Sequence, residues 1–450
     1  MSAAAENAPT SVPNTHPPAF YFFFWGEFAE RCSYYGMRAI LPLYLTGILQ
    51  FSEADATALY SYFKAACYLL PLLGGYLADR YFGKYWTIVG FSIPYVIGQF
   101  LLCVPEQMML IVALILLAGG SGVIKPNIST LMGQTYDQKR PGRSQLRTSA
   151  FLWFYFSINI GAMLSLYALP EIRTYLTKAL DDPTRAYQFT FIVPGLFMIG
   201  ALVVFALGKK HYATETVGPP PPKTPEESAA QWRVLARLFG VFGLMVFFWM
   251  AYEQNDNIWV FFARDHMDHT LNLGFWSKTF APDGFQFFNA MFVLMLIPFF
   301  DFVFRKFDPG VRFFKPTTKM LIGFIVTALA SGVMALAAEE ATTGVKVSAW
   351  WLVGAYFVLT VGEVLIYGTG LELAFAAAPA HMKGFVTACF LLTNTIGNLI
   401  HSQLGQLYSP TLVPDPSKFQ LTPTTFFTMT MVITLVASVA FYFVGRRFNR

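Results

Sequence analysis

Charged residues are scarce in this chain. Asp, Glu, Lys and Arg make up 13% of its 450 residues, where a soluble domain has about 25%. So little charge means that much of the surface faces something apolar. Cysteines number four, Cys32, Cys67, Cys103 and Cys389, all in apolar stretches. No disulfide framework or metal-ligand spacing emerges from them, and they read as buried, inert thiols. The six histidines, His16, His211, His266, His269, His381 and His401, fall in loops, tails or the ends of apolar stretches. A solvated role is expected for each. Residues 1–18 lack Lys and Arg and are rich in Ala and Pro. They read as a disordered lead-in, not a signal peptide.

What is present is apolar length. Hydrophobic residues make up 55% of the chain, and runs of about 20 recur, each long enough to span a bilayer core. Twelve such runs cover 19–49, 53–78, 85–104, 107–134, 149–169, 187–207, 231–263, 284–304, 317–338, 348–379, 384–407 and 421–445. The short alternation of a membrane barrel is absent, so a helix bundle is the expected fold. Placing both termini in the cytoplasm puts eighteen Lys and Arg in inner loops and seven in outer ones. That bias fixes the orientation. These basic loops are topology signals, and no nucleic-acid partner is implied.

One composition break divides the runs into six and six. It spans 209–231 and includes the Pro-rich, polar GPPPPKTPEES, expected to be an extended cytoplasmic linker. The expected units are a six-helix bundle over 19–208 and a second over 232–450. The loop GGYLADRYFGKYW, Gly74 to Trp86, resembles the loop signature of the major facilitator architecture. In that architecture two bundles rock about a central site. Asp79 and Arg80 are expected to bond helix ends.

The first run carries FWGEFAERCSYYGMR, Phe24 to Arg38. Glu27, Glu30 and Arg31 stand at i, i+3 and i+4 and share a helical face. Arg38 follows two turns later on roughly the same side. A charge at mid-bilayer costs at least ~2.5–3.5 kcal/mol, so such residues face a cavity and mark an ion or substrate path. Lys125 and Glu363 also lie mid-run. A buried ammonium seeks a carboxylate, and Glu27, Glu30 and Glu363 are candidates. Glu253 sits in the outer half of the seventh run.

These residues carry a specific resemblance. E-x-x-E-R…Y-Y-G, here Glu27, Glu30, Arg31, Tyr34, Tyr35 and Gly36, resembles the first-helix signature of the proton-dependent oligopeptide transporter family. AGGSGVIKPNIS (Ala118 to Ser129), FYFSINIGAM (Phe154 to Met163) and FWMAYEQ (Phe248 to Gln254) resemble its fourth, fifth and seventh helices. The resemblance runs from about residue 20 to the end of the chain. It implies an all-α membrane protein with twelve transmembrane helices in two six-helix bundles. Departures lie in the tenth and eleventh helices. Tyr367 and Gly368 stand where the family has Ser and Pro, and Phe390 where it has Trp. The second helix has Ser61 where mammalian members have His.

The resemblance implies proton-coupled import of di- and tripeptides. Glu27, Glu30, Arg31, Lys125, Arg38 and Glu253 would couple protons, with Glu253 paired to Arg38. Arg38, Tyr34, Tyr35, Tyr68, Lys125, Asn159, Trp249, Asn289, Glu363, Tyr367 and Phe390 would bind the peptide. Lys125 suits its carboxylate, and Glu363, with Asn159 and Asn289, its α-ammonium. Lys64 and Asp256 lie outside these motifs at similar depth, and suggest a second bridge between the bundles. No cofactor or metal is expected, and no nucleophile or phosphate motif suggests an enzyme. A monomer in the plasma (inner) membrane is expected. Rival readings are transport of another small solute, such as an amino acid derivative or nitrate, and a non-transporting sensor, which would need a signalling domain.

Overall fold

The computed structural model describes residues 15–215, 217–218, 224–307, 314–377, 383–413 and 419–448. Residues 1–14 of the expected lead-in and 219–223 of the expected linker lie outside the described residues, as do His381, Arg312, Lys418 and Arg450. Helices dominate the rest. They are α1 (Ala19–Gly47), α2 (Glu53–Leu77), α3 (Gly83–Leu101), α4 (Gln107–Lys139), α5 (Ser144–Leu180) and α6 (Pro183–Leu207). After the linker come α7 (Pro225–Tyr252), α8 (Ile258–His266), α9 (Gln286–Phe307), α10 (Pro316–Ala341), α11 (Trp350–Ala377), α12 (Lys383–Leu404) and α13 (Pro423–Phe448). A 3-10 turn, Glu253–Asp256, separates α7 from the short α8. Counted as one broken span, these two leave twelve spans among the described residues.

Local chemistry sets several starts. Ser52 caps α2 by accepting from Asp55 N at 3.1 Å, and Asp182 caps α6 ahead of Pro183. Cap residues satisfy amides that have no partner inside the helix. α7 begins at Pro225, six residues before the expected run. Thr224-Pro225-Glu226-Glu227 is a start signal, with Thr ahead of Pro and Glu three residues on. α5 extends well past the expected 149–169. Its added turns carry Arg147, Glu171, Arg173 and Lys178, which hydropathy alone reads as loop.

Seven segments are long and apolar enough to cross a membrane by length and composition alone. Among the described residues α1, α2, α3, α7 and α12 do not meet that measure. α1 through α6 pack among themselves, α1 against α5 and α6, and α4 against α2 and α3. α10 packs against α11 and α13, and α7 against α12 and α13. α2 runs along α12 and α5 along α9, joining the two sets. Two close approaches fix the geometry. A Cβ on Gly74 would lie 2.7 Å from Val123 Cα on α4, and one on Gly362 would lie 3.0 Å from Gly323 O on α10.

Two small sheets decorate the end where α8 meets α9. β1 (Met267–Asp268) pairs in parallel with β4 (Val347–Ser348), and β2 (Thr270–Asn272) forms a hairpin with β3 (Ser277–Thr279). Apolar run length gives no sign of either. At the opposite end Glu215 accepts from Lys84 N at 2.8 Å and Tyr85 N at 3.0 Å, capping α3. Gly218 N donates to Asp79 O at 3.2 Å. Asp79 pairs with Lys84 in the first turn of α3 at 2.7 Å.

Candidate functional site

α1 carries its three charges inward. Glu27, Glu30 and Arg31 are buried. Arg31 Nε lies 3.0 Å from Glu27 Oε1, and the same guanidinium pairs with Glu30. α5 presses on this cluster at Gly161, where a Cβ would meet Phe28 O at 3.0 Å and Arg31 Cβ at 3.2 Å. The glycine of the fifth-helix motif therefore gives α1 and its charges their place. Gln99 on α3 closes the other side by donating to Ser33 Oγ at 2.8 Å.

Lys125 is not buried with them. It stays partly accessible in the middle of α4, with its ammonium 5.2 Å from the Tyr68 ring centroid. Among the described residues it pairs with no carboxylate, so the partner expected from Glu27, Glu30 or Glu363 is not engaged. Tyr34 and Tyr35 stand edge to face, ring centroids 5.4 Å apart, and the Arg38 guanidinium lies 4.9 Å from the Tyr35 ring.

The other set of helices faces these groups with an acid and aromatic rings. Glu363 is partly accessible in mid-α11. Asn289 on α9 donates to it at 2.9 Å and to Thr360 Oγ1 at 3.0 Å. Asn159 does not join them, because its amide donates to Tyr155 O on its own helix at 2.8 Å. Tyr367, one turn beyond Glu363, meets Trp249 edge-on at 5.7 Å and Phe390 at 5.9 Å between centroids. Trp249 is oriented by its Nε1–H, which donates to Thr393 Oγ1 at 3.1 Å. Phe390 is 1% exposed and stands behind Tyr367.

Polar links between the two sets cluster at the end that carries the α1–α2 connection and α8, here termed the gate. Arg38 pairs with Asp256 at 3.2 Å, not with Glu253 as expected. Glu253 instead pairs with Lys64, which also pairs with Asp256. The partners exchange because α7 breaks at Glu253, and the 3-10 turn carries Asp256 toward α1. The suggested Lys64–Asp256 bridge is thus present. Arg173 on α5 pairs with Asp283 and Arg264 on α8 with Glu53. Thr395 Oγ1 donates to Ala65 O at 3.3 Å, and Gln286 Nε2 to Ala39 O at 3.2 Å.

Residues that sequence reasoning missed line α12. Asn394 donates to Glu253 Oε1 at 3.1 Å, and Asn398 donates to Asn394 Oδ1 at 2.8 Å. His401 Nε2 lies 3.1 Å from Asn257 Oδ1. His401 is 1% exposed, which corrects the expectation that every histidine is solvated. The signal was available. Asn394, Asn398 and His401 recur at i, i+4 and i+7 on one helical face.

A broken span, two sets of helices closed by ion pairs at one end, and a lysine and an acid at mid-helix on opposite sets define a membrane protein of the major facilitator fold. Solved POT family transporters have the same fold. PepTSo is 26% identical with TM-score 0.81, over 97% of this chain and 99% of that one. An auto-inhibited POT family peptide transporter is 25% identical with TM-score 0.81, over 96% and 97%. The POT family profile matches residues 85–225 and 222–419. The chain belongs to the POT family. Human solute carrier family 15 member 2 is 30% identical over 385 residues, 74% of this chain and 50% of the relative. Peptide transporter family 1 of Drosophila melanogaster is 29% identical over 360 residues, 70% and 47%. The chain thus spans about half the length of these curated relatives.

Proposed function

We propose that the protein is a proton-coupled symporter that moves di- and tripeptides by alternating access. The observation that carries this reading is that Lys125 and Glu363 each stand without an ion-pair partner among the described residues. One cation and one anion stand partly accessible at mid-helix on opposite sets of helices, and neither is used up by an ion pair among the described residues. A short peptide presents the complementary charges, a carboxylate for Lys125 and an α-ammonium for Glu363. Asn289 holds the Glu363 carboxylate in place. Tyr34, Tyr35, Tyr68, Trp249 and Tyr367 supply ring faces that accept side chains of many shapes. The name of the Drosophila relative, peptide transporter family 1, supports the same substrate class.

Proton coupling enters where acids meet cations. The Glu27–Glu30–Arg31 cluster and the gate acids Glu253 and Asp256 change partners when protonated. Arg cannot serve as the switch, since it keeps its proton. With the terminal end facing the cytoplasm, as the basic loops indicate, the closed gate is the outer one. A protonated gate acid then loosens it, and the site faces outward to load. We place the chain in the plasma (inner) membrane, working as a monomer.

Tyr367 favours a second reading, transport of another small carboxylate such as an amino acid derivative. Its ring fills space between Trp249 and Phe390 that a smaller residue would leave to substrate. Nitrate fits less well, since Glu363 would then face an anion. Proteoliposome uptake of labelled dialanine, driven by an inward proton gradient, decides. Accumulation that tripeptides compete and single amino acids do not is the expected result. Competition by single amino acids or nitrate alone overturns the peptide reading.

A further inference from the structure

Glu253 and Asp256 are the first and last residues of the 3-10 turn that breaks the span. Side chains at i and i+3 eclipse in such a turn, so both carboxylates stand on one side of it. Both are buried, at 1% and 2% exposure, and both accept from the single Lys64 ammonium. Arg38 adds a second cation at 3.2 Å from Asp256. Two acids therefore stand on one set of helices, and the two cations that balance them stand on the other.

We propose that Glu253 and Asp256 form one acid pair that holds a shared proton whenever the gate is open, and that Lys64 displaces it on closing. The proposal rests on the symport reading above. Opening moves α1 and α2, with Arg38 and Lys64, away from the turn. Two carboxylates left facing each other in a poorly hydrated site do not both stay ionised. One carboxylate oxygen takes a proton from water at the open gate. The resulting O–H donates to the neighbouring carboxylate. On closing, the two cations return, the O–H bond breaks, and the proton passes to water on the central side. No electron moves. The groups that face the pair are Arg38 from α1, Tyr60, Lys64 and Tyr68 from α2, Tyr252 from α7, Tyr356 and Glu363 from α11, and His401 from α12. Asp256 is on this account as much a part of the proton step as Glu253.

Infrared spectroscopy of the purified protein tests this without a substrate. Lys64→Met leaves Arg38 alone to balance two acids. Near neutral pH it is expected to gain, relative to wild type, the carbonyl stretch of one protonated carboxyl per chain. Adding Asp256→Asn or Glu253→Gln removes that band, since one acid then faces one cation. If Lys64→Met does not fold, Lys64→Gln carries the same test, because its amide still donates to the acids. No gain in the Lys64 variant overturns the proposal. So does a band that survives in both double variants. Dialanine uptake is measured in parallel. A wild type that does not transport dialanine overturns the symport reading, while the infrared result still decides the acid pair.

Discussion

Arg173 of α5 and Asp283, in the turn ahead of α9, form a two-point ion pair with N–O distances of 2.7 and 2.9 Å. Asp283 is fully buried, and Arg173 also donates to the Tyr187 hydroxyl at 2.8 Å. Planar guanidinium and carboxylate match in this geometry, which makes the contact stronger and more directional than a single bond. The pair spans the two sets of helices on a different face from Lys64, so the gate has clasps on separate sides.

Arg173→Ala is expected to open the gate. Removing one partner of a buried pair leaves a charge uncompensated, at ~3–5 kcal/mol. That corresponds to a population shift of about a hundredfold to several thousandfold, since 1.4 kcal/mol is about tenfold. Spin labels at the exposed Tyr175 and Phe275 are expected to show longer distances in the variant. Adding Asp283→Ala should bring them partly back. An unchanged distance distribution would mean that this clasp does not hold the closed state.

Lys125→Ala is expected to abolish proton-driven accumulation of dialanine. Its ammonium is the accessible cation at the centre of α4, seated over Tyr68, and the proposed function gives it the peptide carboxylate. Uptake in proteoliposomes under an inward proton gradient checks this. Full accumulation by the variant removes Lys125 from the coupling path.

Tyr367→Ser is expected to change the ranking among dipeptides more than the maximal rate. The phenol stands against Trp249 and Phe390, one turn from Glu363, so its removal enlarges the space beside the proposed ammonium end. Competition by a panel with small, branched and aromatic side chains reads the effect. Large side chains should gain most. An unchanged ranking places the ring outside the site.

Gly362→Val is expected to destabilise the second set of helices without touching a charge. A Cβ at this position would stand 2.4 Å from Thr327 Oγ1 and 3.0 Å from Gly323 O. α10 and α11 must separate to admit it. Overpacking of this kind costs ~1–3 kcal/mol, which lowers the melting temperature by a few degrees. Thermal unfolding in detergent gives the answer, and an unchanged melting temperature would show that the two helices yield.

The helical spans were readable because a bilayer imposes length and apolarity on each one. The charges of α1, together with Lys125 and Glu363, were readable for the converse reason, being costly where they stand. What stayed hidden depends on local backbone changes. Arg38 was expected on Glu253 because the family resemblance implies that pair, and nothing in FWMAYEQND announces the 3-10 turn that hands Asp256 to Arg38. His401 escaped because its burial comes from α12 packing along α2 and against the 3-10 turn that breaks the seventh span, contacts between distant parts of the chain. Asn159 was assigned by its motif, yet an Asn inside a helix has a backbone carbonyl one turn away and takes it. Tyr367 was legible as a departure from the family pattern, and its edge-on contact with Trp249 was not.

The capping of α3 by Glu215 has a mechanical side. With Gly218 also bonded to Asp79, the chain leaving α6 is fastened to the first set of helices almost until α7 begins at Pro225. Only residues 219–224 remain between the fastening and that helix. Seven residue steps reach at most ~25 Å, so the start of α7 is tethered within that radius of the α2–α3 corner. The linker therefore acts as a short leash. It leaves the two sets of helices free to rock, and sets an upper limit on how far the terminal end can open.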